Sequence, residues 1–170
     1  MNASLTKVYL HACLSMLMIT FSVWMLVTSD IFWVMDSVNL VFHEAGHTFM
    51  MIFGETIMLL GGALFEVGIP LLLFLYFKAR GELLSQIIIL YWLSSALLSV
   101  SIYIRDAQER ALPLITGDAN THDWWQLLSK YNLLNYDDVI ANIVFLSSLV
   151  VVLYMLYASR HYFKFLFGEH

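Results

Sequence analysis

The sequence predicts an all-α protein, a polytopic transmembrane helix bundle of about five spans, and its composition and the spacing of its apolar runs carry that expectation. Of the 170 residues, 61% are hydrophobic and 12% charged, and the mean hydropathy is +0.77. A water-soluble domain does not show such values. The apolar residues fall in runs of about twenty, the length that carries a helix across a bilayer core. Short polar or glycine-containing breaks separate the runs, so residues 1–170 read as a single integral membrane domain surrounded by lipid. A formal net charge of −5 gives no basic surface for nucleic acid, and the lone Cys13 has no partner for an internal disulfide.

The first span is expected over residues 8–28. It is too long for the apolar core of a signal peptide, and Lys7 is the one basic residue before it, so it reads as a retained helix. Ser29-Asp30 breaks the chain before the second span, 31–53, whose first part is diluted by Asp36, Ser37 and Asn39. Gly54-Glu55-Thr56 then reads as a turn into the third span, 57–77. Gly61, Gly62, Gly68 and Pro70 fall inside that span, and the missing N–H of Pro70 predicts a kinked or partly opened helix there. Glu66, in the same stretch, is expected to face the bundle interior, because a charged group in lipid must find protein or water.

Lys78, Arg80 and Glu82 mark a surface loop, and the serine-rich fourth span, 83–104, is expected to pack among other helices. Arg105 with Glu109, and Asp106 with Arg110, have the spacing of helical ion pairs. The region 111–136 is the longest that does not span. Within it a turn is expected at 117–120, with Thr121 as the N-cap of a short amphipathic helix bearing the interfacial Trp124 and Trp125. The last span, 139–158, leads into a basic and aromatic tail that suits the headgroup region, and its His161 and His170 need no metal. With five spans, Lys7, Arg105, Arg110 and Lys130 fall on one side and Lys78, Arg80, Arg160 and Lys164 on the other, so the charge rule does not choose an orientation.

The chemistry concentrates in the second span, where Phe42-His43-Glu44-Ala45-Gly46-His47 sets a His-Glu-x-x-His motif in an apolar run. Residues four apart share a helix face, so His43 and His47 can offer two imidazole nitrogens to one zinc ion with Glu44 beside it as general base. Two core histidines and a stray glutamate would be the ordinary explanation in a soluble helix. In lipid it fares worse, because a charged group at the centre of an inserted helix costs about 2.5 to 3.5 kcal/mol. Two histidines leave the ion short of ligands. His122, at the start of a helix whose dipole favours the neutral imidazole, is the first choice for the next one, Asp106 the second, and Asp123 has a sufficient local explanation as a first-turn acid.

The stretch 42–47, its place in a small hydrophobic chain, and the Gly61 to Pro70 segment resemble the site-2-protease class of intramembrane zinc metalloproteases and their small bacterial relatives. The resemblance implies zinc on His43 and His47, Glu44 as general base or acid, a membrane protein or peptide as substrate, and a bacterial inner-membrane location. It also implies a cytoplasmic amino terminus and a cytoplasmic 111–136 loop. In that class the remaining ligand is the aspartate of a Leu-Asp-Gly motif, which this sequence lacks; Asp106 matches it by helix order. Glu66 and Asp123 stand as supporting residues. The competing expectations are a non-catalytic membrane scaffold with a structural metal site, marked by four protein ligands, and a redox subunit whose histidines hold haem.

Overall fold

The computed structural model describes residues 3–167, and they are helical with no strand among them. The elements are α1 (Ala3–Thr28), α2 (Trp33–Met50), α3 (Glu55–Ala79), α4 (Leu83–Arg105), the short α5 (Asp123–Lys130) and α6 (Asp137–Phe167). His170, at the end of the tail considered above, lies outside the described residues.

Four helices are long and apolar enough to cross a membrane: Val8–Thr28 within α1, α3, α4, and the Leu134–Lys164 stretch that contains most of α6. α2 is not among them, because Asp36, Ser37, Asn39, His43, Glu44 and His47 dilute its apolar character. α4 is the hub. Its most apolar window is 61% buried, against 22% for α1 and the α6 stretch, so its neighbours, and not lipid, cover most of it. Small and hydroxylated residues make that possible. The Ser148 hydroxyl donates to the Ser94 carbonyl at 2.8 Å, and the Asn39 amide donates to Ser95 Oγ at 3.1 Å while accepting from the Trp92 indole at 3.1 Å.

α2 and α3 form a hairpin whose close approach depends on glycine. A Cβ added at Gly46 would fall against the Gly61 carbonyl, so the two backbones meet where neither carries a side chain. This corrects the expectation of an opened third span: α3 is helical without interruption from Glu55 to Ala79, Pro70 included. Gly61 and Gly62 serve helix packing, and a buried Pro70 removes one hydrogen bond without obliging the helix to open.

The polar connection after α4 also departs from the sequence reading. α4 ends at Arg105, so the predicted Arg105–Glu109 and Asp106–Arg110 pairs have no common helix face on which to form. Arg105 reaches across to Asp138 at 3.4 Å and Asn142 at 2.8 Å on α6. The carboxylate of Asp106 accepts from the backbone N–H groups of Ala111 and Leu112 at 2.9 and 3.1 Å, folding the chain back over the bundle. α5 starts one residue later than a Thr121 cap would place it, with His122 as the cap. Its far end is tied to the start of α3 by Lys130–Glu55 at 2.5 Å and Tyr131–Thr56 at 3.1 Å. Its tryptophans turn inward: Trp124 packs with Val100, Ile104 and Ala141, and Trp125 lies under the Arg110 guanidinium at 4.5 Å.

Candidate metal centre

α2 places His43 and His47 one turn apart, near its carboxyl end. Their rings meet edge to face at 4.8 Å between centroids. The Nδ1 of His43 lies 3.0 Å from Oε2 of Glu66 on α3, and the Nδ1 of His47 lies 2.8 Å from the carbonyl oxygen of Met58. A carbonyl oxygen accepts and never donates, so His47 carries its proton on Nδ1; the Glu66 carboxylate imposes the same tautomer on His43. In that tautomer each Nε2 presents a lone pair to a cation, whereas an Nε2 that keeps a proton donates it to Oδ2 of Asp123, 3.2 Å from both rings.

His43, His47 and Asp123 offer ligand atoms that all fall within 4.8 Å of one another. Bonds of 2.0 to 2.1 Å in a tetrahedron put neighbouring ligand atoms about 3.3 Å apart, close to the spacing between Asp123 and each imidazole. Two imidazoles fixed by acceptors on their far nitrogens, together with one carboxylate, form a donor set that fits a divalent transition ion such as zinc.

Asp123 is brought here by the start of α5. His122 is the N-cap: its Nδ1 accepts the Trp125 backbone N–H at 3.2 Å, which aims the next side chain at the histidines. Tyr103 on α4 holds that side chain from the other side, its hydroxyl donating to Asp123 Oδ2 and accepting from the Asp123 backbone N–H, both at 3.1 Å. Burial pushes the Asp123 carboxyl up, but where Nε2 of His43 and His47 is protonated the hydrogen bonds and charge of the two rings outweigh it and hold the carboxyl well below the usual carboxylate range.

His122 and Asp106 form a separate pair beside this cluster. His122 is fully buried, its ring 4.2 Å from that of Tyr103, and its Nε2 lies 3.4 Å from Asp106 Oδ2 without a hydrogen bond between them. Burial lowers its pKa, which the nearby Asp106 and Asp123 charges only partly offset, in keeping with a neutral ring whose Nδ1 caps a helix. Sequence reasoning ranked these two above Asp123, because a first-turn aspartate needs no further explanation and a capping imidazole is hard to foresee. It passed over Tyr103 altogether; a tyrosine at the end of an apolar span gives no signal of its own.

Glu44, His43, His47 and Asp123 open onto a cavity of about 570 Å³. The cavity follows α2 from Asp30, before the helix starts, past Asp36 and Leu40 to His47. Glu66 reaches its wall but is only 3% exposed, and its second carboxylate oxygen, Oε1, has no partner. Gly61 and Gly62, in the stretch expected to open, instead lie buried beneath α2, where Gly62 makes room for the His43 ring. No family model, curated protein or solved structure matches this chain.

Proposed function

We propose that this protein is an integral membrane zinc hydrolase that cleaves a peptide bond of a membrane-resident substrate, in the manner of the site-2-protease class. The observation that supports this most is the convergence of His43 Nε2, His47 Nε2 and the Asp123 carboxylate on a cavity whose wall also carries Glu44. Three protein ligands with a cavity beside them suit a catalytic ion; a structural site would call for a fourth protein ligand, and three converge among the described residues.

Zinc held there would act as a Lewis acid on the scissile carbonyl and bring the pKa of water toward about 7. Glu44 takes a proton from the attacking water as its oxygen bonds to the carbonyl carbon, and delivers that proton to the amine nitrogen as the C–N bond breaks. Glu66 and the Met58 carbonyl keep the two imidazoles in the required tautomer. Tyr103 holds the Asp123 carboxylate in place.

In this reading α2 is a fifth span. Eighteen residues at 1.5 Å each give about 27 Å, near the 30 Å of a hydrocarbon core. Trp33, Val41 and Phe49 supply exposed apolar surface for lipid while the motif faces inward. The test is metal analysis of the detergent-purified protein beside its variants. About one zinc per chain is expected, lost in His43→Ala and His47→Ala, while Glu44→Gln keeps zinc and loses turnover of any membrane peptide the parent cleaves. Full zinc occupancy in both histidine variants refutes the metal assignment, and wild-type cleavage by Glu44→Gln removes Glu44 from the chemistry.

A further inference from the structure

The wall of the α2 cavity is one-sided in charge. Five carboxylates, Asp30, Asp36, Glu44, Glu66 and Asp123, face two histidines, and no lysine or arginine lines it. A divalent ion at the histidines would offset two of those five charges. Asp30, Asp36 and Glu44 take part in none of the ion pairs between described residues. Deeper in the wall, Glu66 is buried with one carboxylate oxygen unpartnered, an acceptor without a donor inside a low-dielectric site. A cleft of one sign with apolar walls concentrates its field on whatever enters.

The negative groups also have an order. Asp36, Leu40, His43 with Glu44, and His47 recur every three or four residues, so they lie along one face of α2 and along the cavity. Asp36 precedes His43 by seven residues and His47 by eleven, roughly 10 and 16 Å along the helix axis. An extended chain advances about 3.3 Å per residue, so that distance corresponds to about three to five residues of a bound peptide.

We propose that the cavity selects a substrate segment bearing a lysine or arginine, seated at Asp36 about three to five residues from the bond held at His43, His47 and Asp123. This deepens the hydrolase reading and rests on it for the position of the bond. A basic side chain is costly in a membrane unless a counter-charge meets it, and Asp36, with Asp30 beyond it, supplies one at the cavity's far end. The apolar stem of the side chain lies against Leu40, whose place on the same helix face is between Asp36 and the motif.

The test measures binding to the full-length zinc-loaded protein in nonionic detergent by fluorescence anisotropy. The probes are three labelled apolar peptides, identical except for lysine, norleucine or glutamate four residues from the centre. The lysine peptide is expected to bind about tenfold tighter than the norleucine peptide, the scale of one charge-assisted hydrogen bond, with the glutamate peptide weakest. Asp36→Asn should reduce that advantage to about twofold or less, as expected for the loss of one ion pair, with zinc content unchanged, and Asp36→Glu should preserve it. Equal binding of the three peptides, no saturable binding of any, or a lysine preference that survives Asp36→Asn overturns the proposal. So does a fall in zinc content in Asp36→Asn, which would assign that carboxylate to the ion. Binding is read without turnover: selective binding by a protein that cleaves nothing removes only the hydrolase reading, and turnover without charge preference removes only this inference.

Discussion

Replacing Gly62 by alanine tests the metal centre at a position that is itself no ligand. An added Cβ would lie 2.5 Å from Nε2, 2.6 Å from Cε1 and 2.7 Å from Cδ2 of His43. Ordinary contacts between such atoms begin at about 3.5 Å, so the ring must retreat by about 1 Å or α2 must lift from α3. The ring cannot yield freely, because Glu66 holds one edge at 3.0 Å and Asp123 the other at 3.2 Å. A zinc bond tolerates about 0.2 Å, so a shift of about 1 Å should weaken zinc affinity ten- to a hundred-fold or more. The assay is competition with a chromophoric chelator, with helix content and thermal midpoint followed by circular dichroism. Gly68→Ala is the control: nothing lies within 4 Å of a Cβ there, so it should keep zinc and gain about 0.4 to 1 kcal/mol of stability from the stiffer unfolded chain. A Gly62→Ala protein that holds zinc as tightly as the parent, with its fold retained, would refute the close fit between Gly62 and the His43 ring.

Other substitutions probe the residues that converge from a distance. Asp123→Ala removes the carboxylate that both histidines face and should lower zinc affinity by at least about a hundredfold in the same competition; an unchanged affinity would return the search for a ligand to Asp106 and His122. His122→Ala should cost about 1 kcal/mol of helix capping and weaken zinc indirectly, whereas His122→Asn, which keeps a capping acceptor, should recover much of both. A His122→Asn protein stripped of zinc but fully folded would instead make His122 a ligand. Tyr103→Phe removes one donor to Asp123 and one acceptor from its backbone, and should weaken zinc by about tenfold while leaving the fold intact; equal affinities would show that α5 alone positions the carboxylate.

By itself, the sequence determined what can be read over a turn or a span. Long apolar runs required helices with lipid around them, and His43 and His47 were legible as a pair because four residues bring side chains together on any α-helix. Glu66 was legible as inward-facing because lipid penalises a bare carboxylate, and it is indeed buried. The tertiary structure decided which distant groups meet that pair. Asp123 lies 80 residues from His43 and arrives only because Asp106 folds the chain back, His122 caps α5 and Tyr103 receives it. None of those steps leaves a local pattern, since each depends on a hydrogen bond whose partner is set by the packing of another element. The same holds for the glycines of α3: a turn-level reading sees helix breakers, while the opposing Gly46 and the His43 ring, both on α2, turn the absent side chains into the space that lets the site assemble.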